Sequence, residues 1–145
     1  MEHSYEVDVN WVKDRAGVLY SPDFNDEITV VTPPQFPKGI ENHWSPEHLF
    51  TAAVNSCLMT TFLSIADSSR FTFAGFSSRA FGKLESVDGR YEMTEVTLKP
   101  VVVVEKEEDT EKAMKLLRKS EAACLISNSI RSKIVFEPAV RVKTD

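Results

Sequence analysis

Residues suited to strong local chemistry are scarce in this chain. Its 145 residues include only two cysteines, three histidines and five glycines. Two cysteines exclude a disulfide-stapled scaffold, and in a reducing compartment they read as free, reactive or transiently bonded thiols. The histidines lack a recognised ligand spacing; His43, His48 and a cysteine give no metal motif, so no metal and no cofactor are expected. Lys/Arg-rich runs are also missing. The net charge is −5 with acidic and basic residues interspersed, which excludes a basic stripe for nucleic acid. Met1-Glu2-His3-Ser4 lacks the positive and then apolar regions of a signal peptide, so a cytoplasmic location is expected. Repeats and low-complexity segments are absent, and the length suits a single domain over residues 1–145.

What the chain does have is one long uncharged stretch, Leu49 to Ala66. It approaches the length of a membrane span, but Thr51, Asn55, Ser56, Thr60, Thr61 and Ser64 interrupt it, and it lacks basic flanks. A core helix is the better reading, and no membrane partner is expected. Ser45 suits the N-cap, Pro46 the first helical position, and Glu47 the positive end of the helix dipole. Apolar side chains all round the wheel predict a helix covered on most sides. Cys57 lies in its middle, with Phe50, Ala53, Val54, Thr60, Thr61 and Ser64 as helical neighbours.

Before this helix, Tyr5, Val7, Val9 and Trp11 alternate with polar residues, as a half-buried strand does. Asp14 to Gly17 reads as a turn carrying Arg15, Val18 to Tyr20 as a returning strand, and Ile28 to Val31 as a third. Pro33, Pro34 and Pro37 then impose a stiff loop around Phe36. After the helix, Phe71 to Val87 and Arg90 to about Val104 read as a hairpin turning at Asp88-Gly89. Gly75, Gly82 and Pro100 mark expected bulges or edges. Glu105 to Asp109 reads as a solvated turn, and Thr110 to Lys119 as an amphipathic helix. Ser120 caps a short second helix, Glu121 to about Ile130, with Cys124 near its first turn. A last strand alternates through Ile134, Phe136, Val140 and Val142 around Pro138.

These elements give an α+β fold, an antiparallel sheet packed on a long buried central helix. One sheet covers only one side of such a helix. A second copy of the chain would cover the rest, so a homodimer is expected.

Cys57 and Cys124 admit two readings. Each suits a small buried core residue. Together they suit a redox pair, which only the tertiary fold can assemble, because 67 positions separate them.

The run Trp44-Ser45-Pro46-Glu47-His48-Leu49-Phe50-Thr51-Ala52-Ala53-Val54-Asn55-Ser56-Cys57, with Cys124 before Ser127-Asn128, resembles the osmotically inducible protein C / organic hydroperoxide resistance (OsmC/Ohr) family. The resemblance extends over nearly the whole chain. It implies an intertwined homodimer with active sites at the interface, reducing organic hydroperoxides to alcohols. It also implies Cys57 as the peroxidatic thiol, Cys124 as the resolving thiol, and Glu47 and Arg15 as the catalytic glutamate and arginine. The implied reductant is a dithiol, often carried by a lipoyl-bearing protein. Where family members often have proline after the second cysteine, this chain has Leu125. A buried thiol of ordinary pKa stays protonated, so a cation is expected beside Cys57, and Arg15 is assigned that task. Phe36, Trp44 and Phe50 are candidates for an apolar entrance that binds substrate. A continuous helix separates Glu47 from Cys57 by about 15 Å and roughly 80°. Either the helix breaks between them or Glu47 serves the partner subunit's Cys57, and the second is the preferred reading. The competing reading is a non-enzymatic dimer that binds an apolar or electrophilic small molecule, with unactivated thiols.

Overall fold

The computed structural model describes residues 1–144, which form two compact units, Met1–Leu49 and a larger one from Phe50 onward. The first unit is a three-stranded antiparallel sheet in the order β1 (Asp8–Lys13), β2 (Ala16–Tyr20), β3 (Ile28–Val31). Its first strand starts at Asp8, three residues later than the alternation from Tyr5 predicts. It is also more open than expected, with Trp11 76% exposed. The physical reason is that β1 is an edge strand, hydrogen-bonded only to β2. The proline loop runs back past β3, where the Val31 N–H donates to the Trp44 carbonyl at 2.9 Å.

The helix α1 (Pro46–Ser68) begins at the end of the first unit and continues through the second. Its start follows the capping logic of the sequence: the His48 N–H donates to Ser45 Oγ at 3.2 Å, and the Leu49 N–H to the Ser45 carbonyl at 2.9 Å. Within one chain only the stripe Val54, Leu58, Phe62 and Ala66 is buried. The expected cover on most sides is therefore absent from the single chain. Ala53, Ser56, Met59, Thr60, Leu63 and Ser64 form an exposed face without charge.

In the second unit the long hairpin β4 (Gly75–Val87) and β5 (Arg90–Val104) turns at Asp88 and Gly89, with φ of 50° and 80°. Two successive positive φ values are what a tight two-residue hairpin turn requires. Strand β4 begins four residues later than Phe71, which instead joins the core. The bulge falls between Lys83 and Leu84, next to Gly82, and Gly75 only begins the strand. At Gly82 a Cβ would collide with the Thr51 hydroxyl, so a side chain is excluded where the helix crosses the sheet.

The helix α2 (Thr110–Ala123) follows a short 3₁₀ turn, Glu107–Asp109. Ser120 does not start a new helix. It is buried inside α2, and its hydroxyl donates to the Leu116 carbonyl at 2.7 Å, a bond that leaves the backbone helical. Cys124 is thus the residue on which α2 ends, followed by a 3₁₀ turn at Ser127–Ser129. The single last strand expected from alternation is two strands, β6 (Lys133–Phe136) and β7 (Ala139–Val142), broken at Glu137-Pro138. Both pair with β5 in parallel, so this sheet is mixed. Pro100 is neither bulge nor exposed edge. It is buried in β5 opposite the gap between β6 and β7, where no ladder bond needs its missing N–H.

Two apolar clusters fill this unit. Phe62, Ala66, Phe71, Val102, Val104, Ala113, Leu116 and Leu117 form one, Val54, Leu58, Val96 and Leu98 the other.

Candidate functional site

Cys57 stands mid-helix on α1, half-buried, and Cys124 is buried at the C-terminus of α2. The fold places the two thiols near enough for each to shift the other's pKa, and both are free. The turn after α2 makes this possible. Cys124 leaves the helix with φ −63° and ψ 114°, an extended conformation that ends α2. The Asn128 N–H then donates to the Cys124 carbonyl at 3.1 Å, and the Asn128 side-chain amide to the Ala122 carbonyl at 3.1 Å. Ser129 donates its N–H to the Ile126 carbonyl at 3.0 Å and its hydroxyl to the Leu125 carbonyl at 2.8 Å.

The two sulfurs sit in unequal surroundings. Partial burial resists ionisation of Cys57, but the Ile126 N–H, the Cys124 thiol, the Thr61 hydroxyl and the Leu125 N–H together outweigh it. The net effect is a pKa below that of an ordinary thiol. The Thr61 Oγ1 lies 3.8 Å from the Cys57 sulfur, one helical turn along. For Cys124, burial raises the pKa, and the Cys57 sulfur adds to this. The Ser127 hydroxyl and N–H oppose the rise without cancelling it. Of the pair, Cys57 gives up its proton first.

Sequence reasoning assigned this activation to a cation. None of the groups that lower the Cys57 pKa carries a charge; they are neutral donors, most of them on the turn from Cys124 to Ile126. Thr61 was legible from helical spacing as a neighbour of the thiol. The Leu125 and Ile126 donors were not, because every non-proline residue carries an N–H and no side chain marks them.

The other candidates fall as follows. Arg15, Phe36 and Glu47 line one hollow of about 590 Å³ in the first unit, together with Val9, Trp11 and Val31. Its walls are mainly apolar, and Asp14, Arg15 and Glu47 are the charged residues among them. Trp44 is half exposed and meets His48 edge to face at 6.5 Å between ring centroids. The His48 Nδ1 is 2.6 Å from Ser45 Oγ, which ties the ring to the helix cap. Phe50 packs against the Val54 and Leu58 cluster. Helix α1 runs unbroken through Glu47 and Cys57, so the ten-residue spacing keeps them on the order of 15 Å apart. Asn55, two residues before Cys57, ties α1 to β4. Its amide donates to the Ser78 carbonyl at 2.9 Å, and it accepts from the Ser78 hydroxyl at 2.6 Å. Among the described residues, no group of three or more His, Cys, Asp or Glu side chains is placed to hold a metal ion.

Comparison with known proteins now adds to this geometry. The family model of OsmC-like proteins matches residues 39–139. The YmaD protein of Bacillus subtilis (strain 168) is 22% identical over 98% of this chain and 96% of its own length. The solved structure of an OsmC-like protein from Vibrio cholerae O1 biovar eltor superposes with a TM-score of 0.82 at 25% identity. The match covers 94% of this chain and 99% of that one. The organic hydroperoxide resistance protein OhrB of Bacillus subtilis superposes with a TM-score of 0.69 at 21% identity, over 97% of this chain and 98% of that one.

Proposed function

The chain belongs to the OsmC-like protein family, and we propose that it is a cytoplasmic thiol peroxidase that reduces organic hydroperoxides to alcohols. The observation that carries this reading is the pair of neighbouring thiols with unequal acidities, Cys57 lowered and Cys124 raised. The substrate class is supported by the likeness to OhrB, an organic hydroperoxide resistance protein.

In the proposed cycle the Cys57 thiolate attacks the distal oxygen of ROOH. The O–O bond breaks, an S–O bond forms, and RO⁻ leaves to be protonated to the alcohol. The resulting sulfenic acid condenses with the Cys124 thiol, releasing water and forming a Cys57–Cys124 disulfide. An external dithiol, such as a protein-bound lipoyl group, exchanges with this disulfide, restoring both thiols and becoming the oxidised partner.

The active unit in this proposal is a homodimer. The uncharged exposed face of α1 and the exposed apolar residues of β1 are the surfaces a second copy would cover. Arg15 and Glu47, in the apolar hollow with Phe36, then serve the partner subunit's Cys57. The guanidinium would hold the peroxide oxygens and the carboxylate would fix the guanidinium. Trp44 and Phe50 complete the proposed apolar approach.

Consumption of cumene hydroperoxide by wild type and Cys57→Ser, with a dithiol reductant, tests the reading. Wild type should turn over and the variant fall to the uncatalysed rate; equal rates would remove Cys57 from the mechanism. Mixed Glu47→Ala and Cys57→Ser protomers test the shared site. After verified exchange, activity should return in the heterodimer, and no recovery would refute sharing.

A further inference from the structure

One face of the mixed sheet packs against helices, and the other carries a group of cations. Leu98, Val102 and Val104 of β5 are buried, so alternation turns Lys99, Val101 and Val103 to the opposite face. On that face Arg79 of β4 stands directly across from Lys99, and Ser77 across from Val101. On the far side of β5, Arg141 of β7 stands across from Val103, about 13 Å along the sheet from Lys99. Ser77, Ser78, Arg79, Lys99, Val101 and Arg141 together line a hollow of about 550 Å³. Its charged residues are all cations, in a chain whose net charge is −5.

This arrangement opposes stability, because like charges directly across paired strands repel. Elsewhere in the same unit exposed cations are set against carboxylates. Lys83 Nζ lies 3.7 Å from the Glu85 carboxylate, and the Arg131 guanidinium 3.5 Å from that of Glu92. Among the described residues, the side chains of Arg79, Arg141 and Ser77 have no ion-pair or hydrogen-bond partner. Lys99 differs, with its Nζ 3.9 Å from the Glu137 carboxylate and 5.4 Å from the centre of the Phe81 ring. Glu137 does not line the hollow. The site therefore offers two unengaged guanidinium forks, suited to paired oxygens, with the apolar Val101 and the Ser77 hydroxyl between the strand positions that carry them.

We propose that this hollow binds a small linear dicarboxylate. Arg79, with Lys99 beside it, holds one carboxylate and Arg141 the other, while the methylene chain lies over Val101. A ligand with all its charge at one end engages only one group of cations. A dicarboxylate engages both, and its second contact gains from the first having fixed it in place. Anions are repelled by the chain as a whole, so the attraction is local to this face. The site stands on the sheet and not on the thiols, so it holds whether or not the chain consumes peroxide.

Calorimetric titration of the intact protein, in a low-salt buffer free of other carboxylates and phosphate, provides the test. The probes are linear dicarboxylates from malonate to suberate, with butyrate and inorganic phosphate as single-ended anions. Affinity should peak at one chain length in the dicarboxylate series and exceed that for butyrate and phosphate about tenfold. Arg79→Gln and Arg141→Gln should each bring the preferred dicarboxylate down to the level of butyrate. Lys133→Gln removes a cation from β6 of the same sheet, outside the hollow, and should leave the affinity unchanged. Arg79→Gln should unfold at an equal or higher urea concentration than wild type, which separates lost binding from lost structure. Three results would overturn the proposal: equal affinity for single-ended and double-ended anions, equal weakening by Lys133→Gln, or no dicarboxylate binding at all. A polyglutamate peptide that binds where the dicarboxylates do not would also overturn it, assigning the face to an acidic protein.

Discussion

The two units of this chain are built on different terms. From Phe50 onward, two buried clusters are enclosed by α1, α2 and the mixed sheet. In Met1–Leu49 the only buried apolar side chain is Val31 apart from Pro33, while Tyr5, Val7, Val9, Trp11, Val12, Phe24 and Trp44 are all exposed. The thiols therefore stand on the densely packed unit and the hollow with Arg15 and Glu47 on the sparsely packed one. The lesson is that the sulfur pair needs rigid placement, since a bond must form between its members, whereas a substrate-facing hollow tolerates thinner support.

The sharpest way to break this comparison is Phe62→Ala. Phe62 is fully buried, with Phe73 and Phe76 each 5.2 Å away between ring centroids. Its truncation should cost about 3–5 kcal/mol in urea unfolding. A loss below 1 kcal/mol would mean that the second unit is not the stable one.

Next comes the pH dependence of the thiols. Cys57 has a lowered pKa, so its thiolate is present above that pKa and lost as pH falls through it. Labelling should decline about tenfold per pH unit on the acid side. Cys124, with its raised pKa, should label only at higher pH. A single transition at the ordinary thiol value for both would erase the difference between them.

Ser45→Ala should cost about 1 kcal/mol, because the His48 N–H loses its acceptor at the start of α1. The smallest effect belongs to Trp11→Ala in the dissociated chain, within about 0.5 kcal/mol for an exposed residue. In the proposed dimer, where a second copy covers β1, the loss should be larger, and an equally small loss at dimer-forming concentration would argue against that cover.

The parts of the fold written in local chemistry were legible. Ser45, Pro46 and Glu47 fix the start of α1, and Asp88-Gly89 fixes the hairpin whose second strand runs from Arg90 to Val104, as expected. Failures came where a residue has two uses or a partner is distant. A serine suits an N-cap or a bond to the preceding turn, and at Ser120 the second prevailed. Whether β6 and β7 pair in parallel depends on a connection through α2, which alternation does not encode. At the site, the cysteines were visible as candidates and their proximity was not, since it spans 67 positions. The apolar run of α1 was legible as a helix, but periodicity reports which faces avoid charge, not what covers them, and one chain buries only the stripe from Val54 to Ala66.

Gly82 carries a consequence for how this sequence can change. Thr51 occupies the volume that any side chain at 82 would need, so the two positions are free to vary only together. Gly82→Ala alone should be destabilising, and Thr51→Ala alone should leave a small void. The double variant exchanges a hydroxyl for a methyl across the same gap, with the flexible Met93 methyl, 2.8 Å away, able to yield. Its cost should be less than the sum of the two, so a lineage altering one of these sites would be expected to alter the other soon after.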